Sequence, residues 1–419
     1  MTGQAPARAI GRFVFGAFLG LYLFTASREP SGGFAPAALG ALGCLVAFRL
    51  YRRVGAGDRA ASLVTVVLGT ATMIWPYARR DPTAMLEAVS FTGFVDALVA
   101  AAAAPGRLRA LAVGTWGGVL VFQDPVFAVA LLGAAVYLRR DLLVAALALL
   151  PFIILAALGL GGDVPDLARY REHLFDGLFG LALSTGKGAP VFSPPLLLGL
   201  LLLPWAARRH RAVVLALAVT VVPVLIVHGM DLFWSGGQTW GAPGVLFLVP
   251  AGLVPLALAV EEGDWRWVHR FGAGAVVAAG LVVQLAGIAV APGHFLAVSH
   301  DVGAAWLGRP DLRGADPLPC IDCFEETHRV DWLPPFQPIV GNLWLARHVI
   351  AGDDYGQAQA DAPWRRYVDL PFDASAAYGR ARVDWWALDA HGVGGGALVA
   401  GEAALLAAGA WLWRRRLPS

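Results

Sequence analysis

The chain has 419 residues, 58% of them hydrophobic and 15% charged, with a formal net charge of +2 and a mean hydropathy of +0.62. Soluble domains hold about 45–50% apolar residues even with glycine counted, and about 25% charged ones, so a soluble enzyme and a disordered chain are poor descriptions. A net charge so near zero gives no electrostatic footprint for nucleic acid, and none is expected as a partner. The composition is that of an all-helical, polytopic membrane protein whose first partner is the lipid bilayer.

A bilayer core of about 30 Å needs roughly 20 apolar residues per helix. Spans are expected near residues 13–27, 34–51, 61–77, 84–104, 142–160, 191–207, 212–229, 243–260, 271–291 and 394–413. The stretch 110–138 is interrupted by Gln123-Asp124-Pro125. Proline removes a donor and clashes with the preceding turn, so this stretch is expected to be two short helices that enter and return. The first apolar run ends in small residues, as a signal peptide does, but so many later spans favour an uncleaved first helix.

Arginine placement sets the expected direction through the positive-inside rule. Arg8 and Arg12 precede the first span, and Arg49, Arg52, Arg53 and Arg59 follow the second. Arg107 and Arg109, Arg139 and Arg140, then Arg208, Arg209 and Arg211 come next, with Arg266 and Arg270 and finally Arg414 to Arg416. All fall on one side if 110–138 begins and ends there, which puts both termini in the cytoplasm. The expected organisation is a helical membrane region over 1–291, an external loop or cap over 292–393, and a final helix with a basic tail over 394–419. The external faces then comprise 28–33, 78–83, 161–190, 229–242 and the long 292–393 segment, and polar chemistry belongs there, because hydrocarbon excludes it.

Three external segments carry recognisable patterns. Residues 184–195 read Ser-Thr-Gly-Lys-Gly-Ala-Pro-Val-Phe-Ser-Pro-Pro, and 228–243 read His-Gly-Met-Asp-Leu-Phe-Trp-Ser-Gly-Gly-Gln-Thr-Trp-Gly-Ala-Pro. The long loop carries Val330-Asp331-Trp332-Leu333-Pro334-Pro335-Phe336-Gln337-Pro338-Ile339 and then Asn342-Leu343-Trp344. Together these resemble bacterial multipass glycosyltransferases of the GT-C superfold, which includes the protein O-mannosyltransferases and the lipid A aminoarabinose transferases. The resemblance implies a transferase at the outer face of a bacterial inner membrane. Its donor is a polyprenyl-phosphate-linked sugar, and its acceptor is a hydroxyl on a glycan or lipid. A carboxylate accepts the hydroxyl proton, and cations or a divalent metal hold the phosphate. The alternative is an inactive relative serving as a binding or scaffold subunit. A transporter ranks last, since its paired broken helices are absent.

The family places its catalytic aspartate in a long first external loop. Here only Ser27-Arg28-Glu29-Pro30-Ser31-Gly32-Gly33 joins the first two spans, and no aspartate precedes Asp58. After Trp240-Gly241 this chain has Ala242-Pro243 where the family tends to place Pro-Arg.

Glu29 is therefore a candidate base, against the alternative of a solvated pair with Arg28. Asp81 is the second candidate for a base or metal ligand; its alternative is to cap a helix starting at Pro82. Lys187 is the only lysine among 32 basic residues. Between two glycines it is placed to pair with a carrier phosphate or to reach lipid headgroups. Arg79 and Arg80 are further phosphate-binding candidates. His228, Asp231, Trp234 and Trp240 are candidates to contact sugar or isoprenoid, with an interfacial aromatic belt as the other explanation of the tryptophans. Asp124 at the helix break draws suspicion as an intramembrane charge, although capping is sufficient reason for it. Cys320 and Cys323 form a CxxC pair outside the cytoplasm, most simply a local disulfide; no metal site is assigned, and Cys44 is a buried helix residue.

Overall fold

A computed structural model describes residues 4–25, 33–138, 141–161, 174–231, 234, 236, 239–263, 267–290, 294–295, 337–365, 378 and 381. Among the described residues every regular element is helical. In chain order these are α1 (Gln4–Phe24), α2 (Phe34–Arg53), α3 (Asp58–Ala71), α4 (Ile74–Arg80), α5 (Pro82–Ala103), α6 (Arg107–Gln123), α7 (Ala128–Leu138) and α8 (Leu142–Leu155). There follow α9 (Leu174–Leu183), α10 (Ala189–Phe192), α11 (Pro195–Arg209), α12 (Arg211–Gly229), α13 (Leu248–Gly252), α14 (Val254–Glu262) and α15 (Trp267–Ala289). Two more, α16 (Pro338–Ala351) and α17 (Tyr355–Gln359), lie in the long segment expected to be external.

Six described helical stretches are long and apolar enough to cross a membrane: Phe34–Arg53, Pro82–Ala103, Leu142–Leu160, Arg211–Gly229, Pro243–Glu262 and Phe271–Ala289. The chain is a membrane protein on this ground, and these stretches coincide with six of the spans read from hydropathy. The others have different outcomes. The stretch 61–77 bends by 62° between α3 and α4, where Thr72 is extended and the Ser193 hydroxyl accepts from the Met73 N–H at 3.0 Å. The stretch 191–207 is split at Ser193, whose non-helical backbone precedes Pro194, in keeping with the clash between proline and a preceding helical residue. The apolar part of α1, Ala9–Phe24, is shorter than a full crossing, and 394–413 lies outside the described residues.

The break in 110–138 falls where expected. Asp124 is extended, and its side chain caps the 3-10 turn Pro125–Phe127 before α7 continues. Gln123 reaches Ser90 of α5, while Gly133 of α7 packs on the Val219 carbonyl of α12. So α6 rises toward the start of α5 and α7 runs back.

Helix contacts follow the rule that small residues let membrane helices approach closely. A β-carbon on Gly177 of α9 would collide with the Gly229 carbonyl of α12, and one on Gly199 of α11 with the Gly252 carbonyl of α13. Buried polar groups add specific ties. The Tyr22 hydroxyl donates to the Gly69 carbonyl at 3.1 Å, and the Tyr51 hydroxyl donates to the Pro250 carbonyl at 3.0 Å.

Charges gather at the two ends of the bundle. At one end Arg53 grips Asp96 of α5 through Nε and Nη2, at 2.6 and 3.2 Å. There the Gly57 N–H also donates to Glu261 at 2.8 Å, and Arg209 and His210 meet Glu262. The opposite end holds Asp81, the 184–193 loop, His228 to Asp231, Thr239 to Gly241 and the end of α15. There α16 docks on α15 through Asn342, whose amide donates to the Ala286 and Val290 carbonyls at 3.2 and 3.3 Å. A small aromatic core of Phe295, Trp344, Trp364 and Tyr378 sits above it.

Candidate functional site

Lys187 is fully buried. The turn that carries it is organised by Ser184, whose hydroxyl accepts from the Gly186 and Lys187 N–H groups, both at 3.1 Å. The ammonium donates to the Thr239 carbonyl at 2.8 Å, with the Thr239 hydroxyl at 3.5 Å. That hydroxyl in turn donates to the Gly241 carbonyl at 2.9 Å. Tyr77 of α4 lies beside Thr239 and within electrostatic reach of Arg80, Asp81 and Glu87. Lysine, tyrosine, arginine and carboxylates thus form one polar zone at the end of the bundle.

The acidic part of this zone is built on α5. Asp81 caps the helix, accepting from the Ala84 N–H at 2.9 Å, with proline following at the first helical position. Glu87 lies one and a half turns further in, half-buried, and within reach of the charges of both Asp81 and Asp124. Asp124 accepts from the Val126 N–H at 2.9 Å. Glu87 Oε1 and Gln123 Oε1 are buried without a hydrogen-bond partner. Among the described residues no group of three or more His, Cys, Asp or Glu side chains is arranged to hold a metal ion, so these carboxylates do not fit a divalent cation.

Aromatic rings form the floor. Phe91, one turn beyond Glu87, packs on Phe247 at 4.6 Å and on Phe127 at 5.7 Å between ring centroids. His228 packs on Phe127 and Phe247 at 5.7 and 5.6 Å. A β-carbon at Gly244 would lie 3.1 Å from His228 Nδ1, so that edge of the ring faces backbone. Nε2, on the opposite side, is buried with no partner, and Asp231 is the charge that acts on this histidine.

The other candidates take up positions that tie the fold together. Arg79 is fully buried; its guanidinium donates to the Thr25 carbonyl and to the Ile288 carbonyl at 3.2 Å, joining the ends of α1, α4 and α15. Trp240 stacks edge-on against Phe192 at 5.0 Å over Gly287, and Trp234 packs on Gly180. Both tryptophans are core residues here. Glu29, Cys320 and Cys323 lie outside the described residues, and Cys44 is a free, buried thiol.

Sequence reasoning missed Glu87, Gln123 and Tyr77. The signal for Glu87 was present: an acid inside an otherwise apolar span is costly, and by default marks function. No family model matches the chain, and neither does any curated protein or solved structure.

Proposed function

We propose that the protein is a GT-C-like membrane glycosyltransferase that moves a sugar from a polyprenyl-phosphate donor to an acceptor hydroxyl. In this reading the polar zone opens on the outer face of a bacterial inner membrane, about ten spans cross it, and both termini are cytoplasmic. The observation that carries the reading is the joining of unlike chemistries at one end of an apolar bundle. Lys187 and Arg80 adjoin Tyr77 and Thr239, and next to them stand the carboxylates Asp81 and Glu87. Cations suit a phosphate as charge develops on it; a carboxylate suits an attacking hydroxyl.

A second reading, a carrier-binding relative without turnover, is favoured by the engagement of Arg79, Lys187 and Asp81 with backbone groups. Native mass spectrometry of the purified protein tests both, with wild type beside Lys187→Ala. A polyprenyl-phosphate species retained by wild type and lost in the variant supports a donor groove, and labelled-sugar transfer then separates enzyme from scaffold. Wild type carrying bulk phospholipid alone sinks both readings.

A further inference from the structure

Glu87 lies within reach of the charges of Asp81 and Asp124, and those two acids are committed. Asp81 caps α5 through the Ala84 N–H, and Asp124 caps the turn after α6 through the Val126 N–H. Glu87 is different: its Oε1 is buried and has no partner. A buried acceptor left without its hydrogen bond is costly, the more so when charged, so such an atom calls for a donor that belongs to a ligand. Two further orphans belong to the same end of the bundle. Gln123 Oε1 is unpartnered, while the other end of that amide reaches Ser90 Oγ at 3.4 Å, one turn along α5 from Glu87. His228 is 9% exposed, and its unpartnered Nε2 points away from the Gly244 backbone. His228 packs on Phe127 and Phe247 of a ring cluster whose third member, Phe91, stands one turn along α5 from Glu87.

We infer that Glu87 is the carboxylate that receives the acceptor's proton, and that Gln123 and His228 hold the hydroxyl-bearing end of the acceptor beside it. The inference rests on the transferase reading above. Two orphaned oxygens demand hydrogen-bond donors, and hydroxyl groups over an aromatic floor meet that demand, because ring faces pack on C–H surfaces while the oxygens take the O–H protons. In the step itself the acceptor oxygen forms a bond to the anomeric carbon as the bond from that carbon to the lipid phosphate oxygen breaks. The phosphate leaves with the electron pair, and the acceptor's proton passes to the Glu87 carboxylate. Glu87 lies about 8 Å along α5 from its first residue at 1.5 Å per residue, on the same end of the helix as the Asp81 cap.

The test uses the full chain in proteoliposomes, supplied with polyprenyl-phosphate mannose and polyprenyl-phosphate arabinose, with lipid and glycan extract as acceptor. Donor retention is read by native mass spectrometry and transfer by labelled sugar. Glu87→Gln is expected to keep the donor and lose transfer about hundredfold or more, the span of general-base effects. Transfer within fivefold of wild type overturns the inference, and so does loss of donor together with transfer, which would make Glu87 a donor-site residue. Should Glu87→Gln not fold, Glu87→Asp decides: a tenfold or greater fall with donor retained supports the inference, and a wild-type rate overturns it. Wild type that binds no donor and transfers neither sugar sinks the transferase reading itself.

Discussion

The Lys187 ammonium donates to the Thr239 carbonyl at 2.8 Å, across 52 residues of chain. It pins the glycine-flanked turn after α9 to the segment leading into Trp240. Lys187→Met keeps the stem and removes the donor, leaving a buried carbonyl short of a charged partner. The expected cost is about 1.5–3 kcal/mol, as for hydrogen bonds to charged groups. Thermal melts of the detergent-purified variant should show a lowered Tm, and an unchanged Tm would mean the tie is incidental.

At the opposite end, Asp96 is 6% exposed and takes both arms of Arg53, with Arg49 at 3.6 Å. Because Arg53 itself stays partly in water, removing the acid frees a guanidinium that can rehydrate. Asp96→Asn is therefore expected to destabilise by about 1–2 kcal/mol, below the 3–5 of a wholly buried broken pair. A double-mutant cycle with Arg53→Gln measures the coupling, and additive losses would refute it.

Gly177 and Gly199 each meet a neighbouring helix's carbonyl where a side chain would stand. Their replacement by alanine should force the pairs α9–α12 and α11–α13 apart and lower folded yield. The same change at Gly16 or Gly272, where nothing lies within 4 Å, is expected to be neutral or mildly stabilising, since alanine favours helix by about 1 kcal/mol. Equal effects at all four positions would contradict the packing.

The outer unit carries a pH dependence. Burial pushes the Asp361 carboxyl up, but hydrogen bonds from His348, Arg347 and Trp344 outweigh it and hold the group below its ordinary value of 3.8. His348 Nε2 and Nδ1 lie 2.8 and 2.6 Å from Asp361 and Asp353. A carboxyl lowered on folding stabilises above its unfolded value, and the contribution fades as pH falls through the lower folded one. Wild type should out-melt Asp361→Asn at pH 6, and the gap should close below the ordinary value of 3.8. A gap independent of pH would show that charge is not its source.

Hydropathy located α2, α5, α12 and α15 because each is one unbroken helix of high mean hydropathy, and Asp124-Pro125 announced its own break by removing a donor beside a ready cap. The bend at Thr72–Met73 was not legible, since it depends on Ser193, which is distant in sequence. Trp234 and Trp240 read equally well as ligand platforms and as belt residues. Only the facing notches at Gly180 and Gly287 make them core. Arg79 reads in sequence as a phosphate-binding candidate beside Arg80; its partners are the backbone carbonyls of Thr25, just past α1, and Ile288 of α15, which no local pattern encodes. Asp81 was legible as a cap from Asp-Pro alone. Glu87 was hidden by the apolar residues around it, although that company is what makes an acid there unusual.

The chain's one side-chain amine is fully enclosed. Amine-directed reagents therefore have no side-chain target while the 184–188 turn stays closed. Any acylation of Lys187 in the folded protein becomes a clock for the opening of that turn, read at a single residue without engineering a label, and protection by an added lipid phosphate would show that the same gap is where such a molecule lodges.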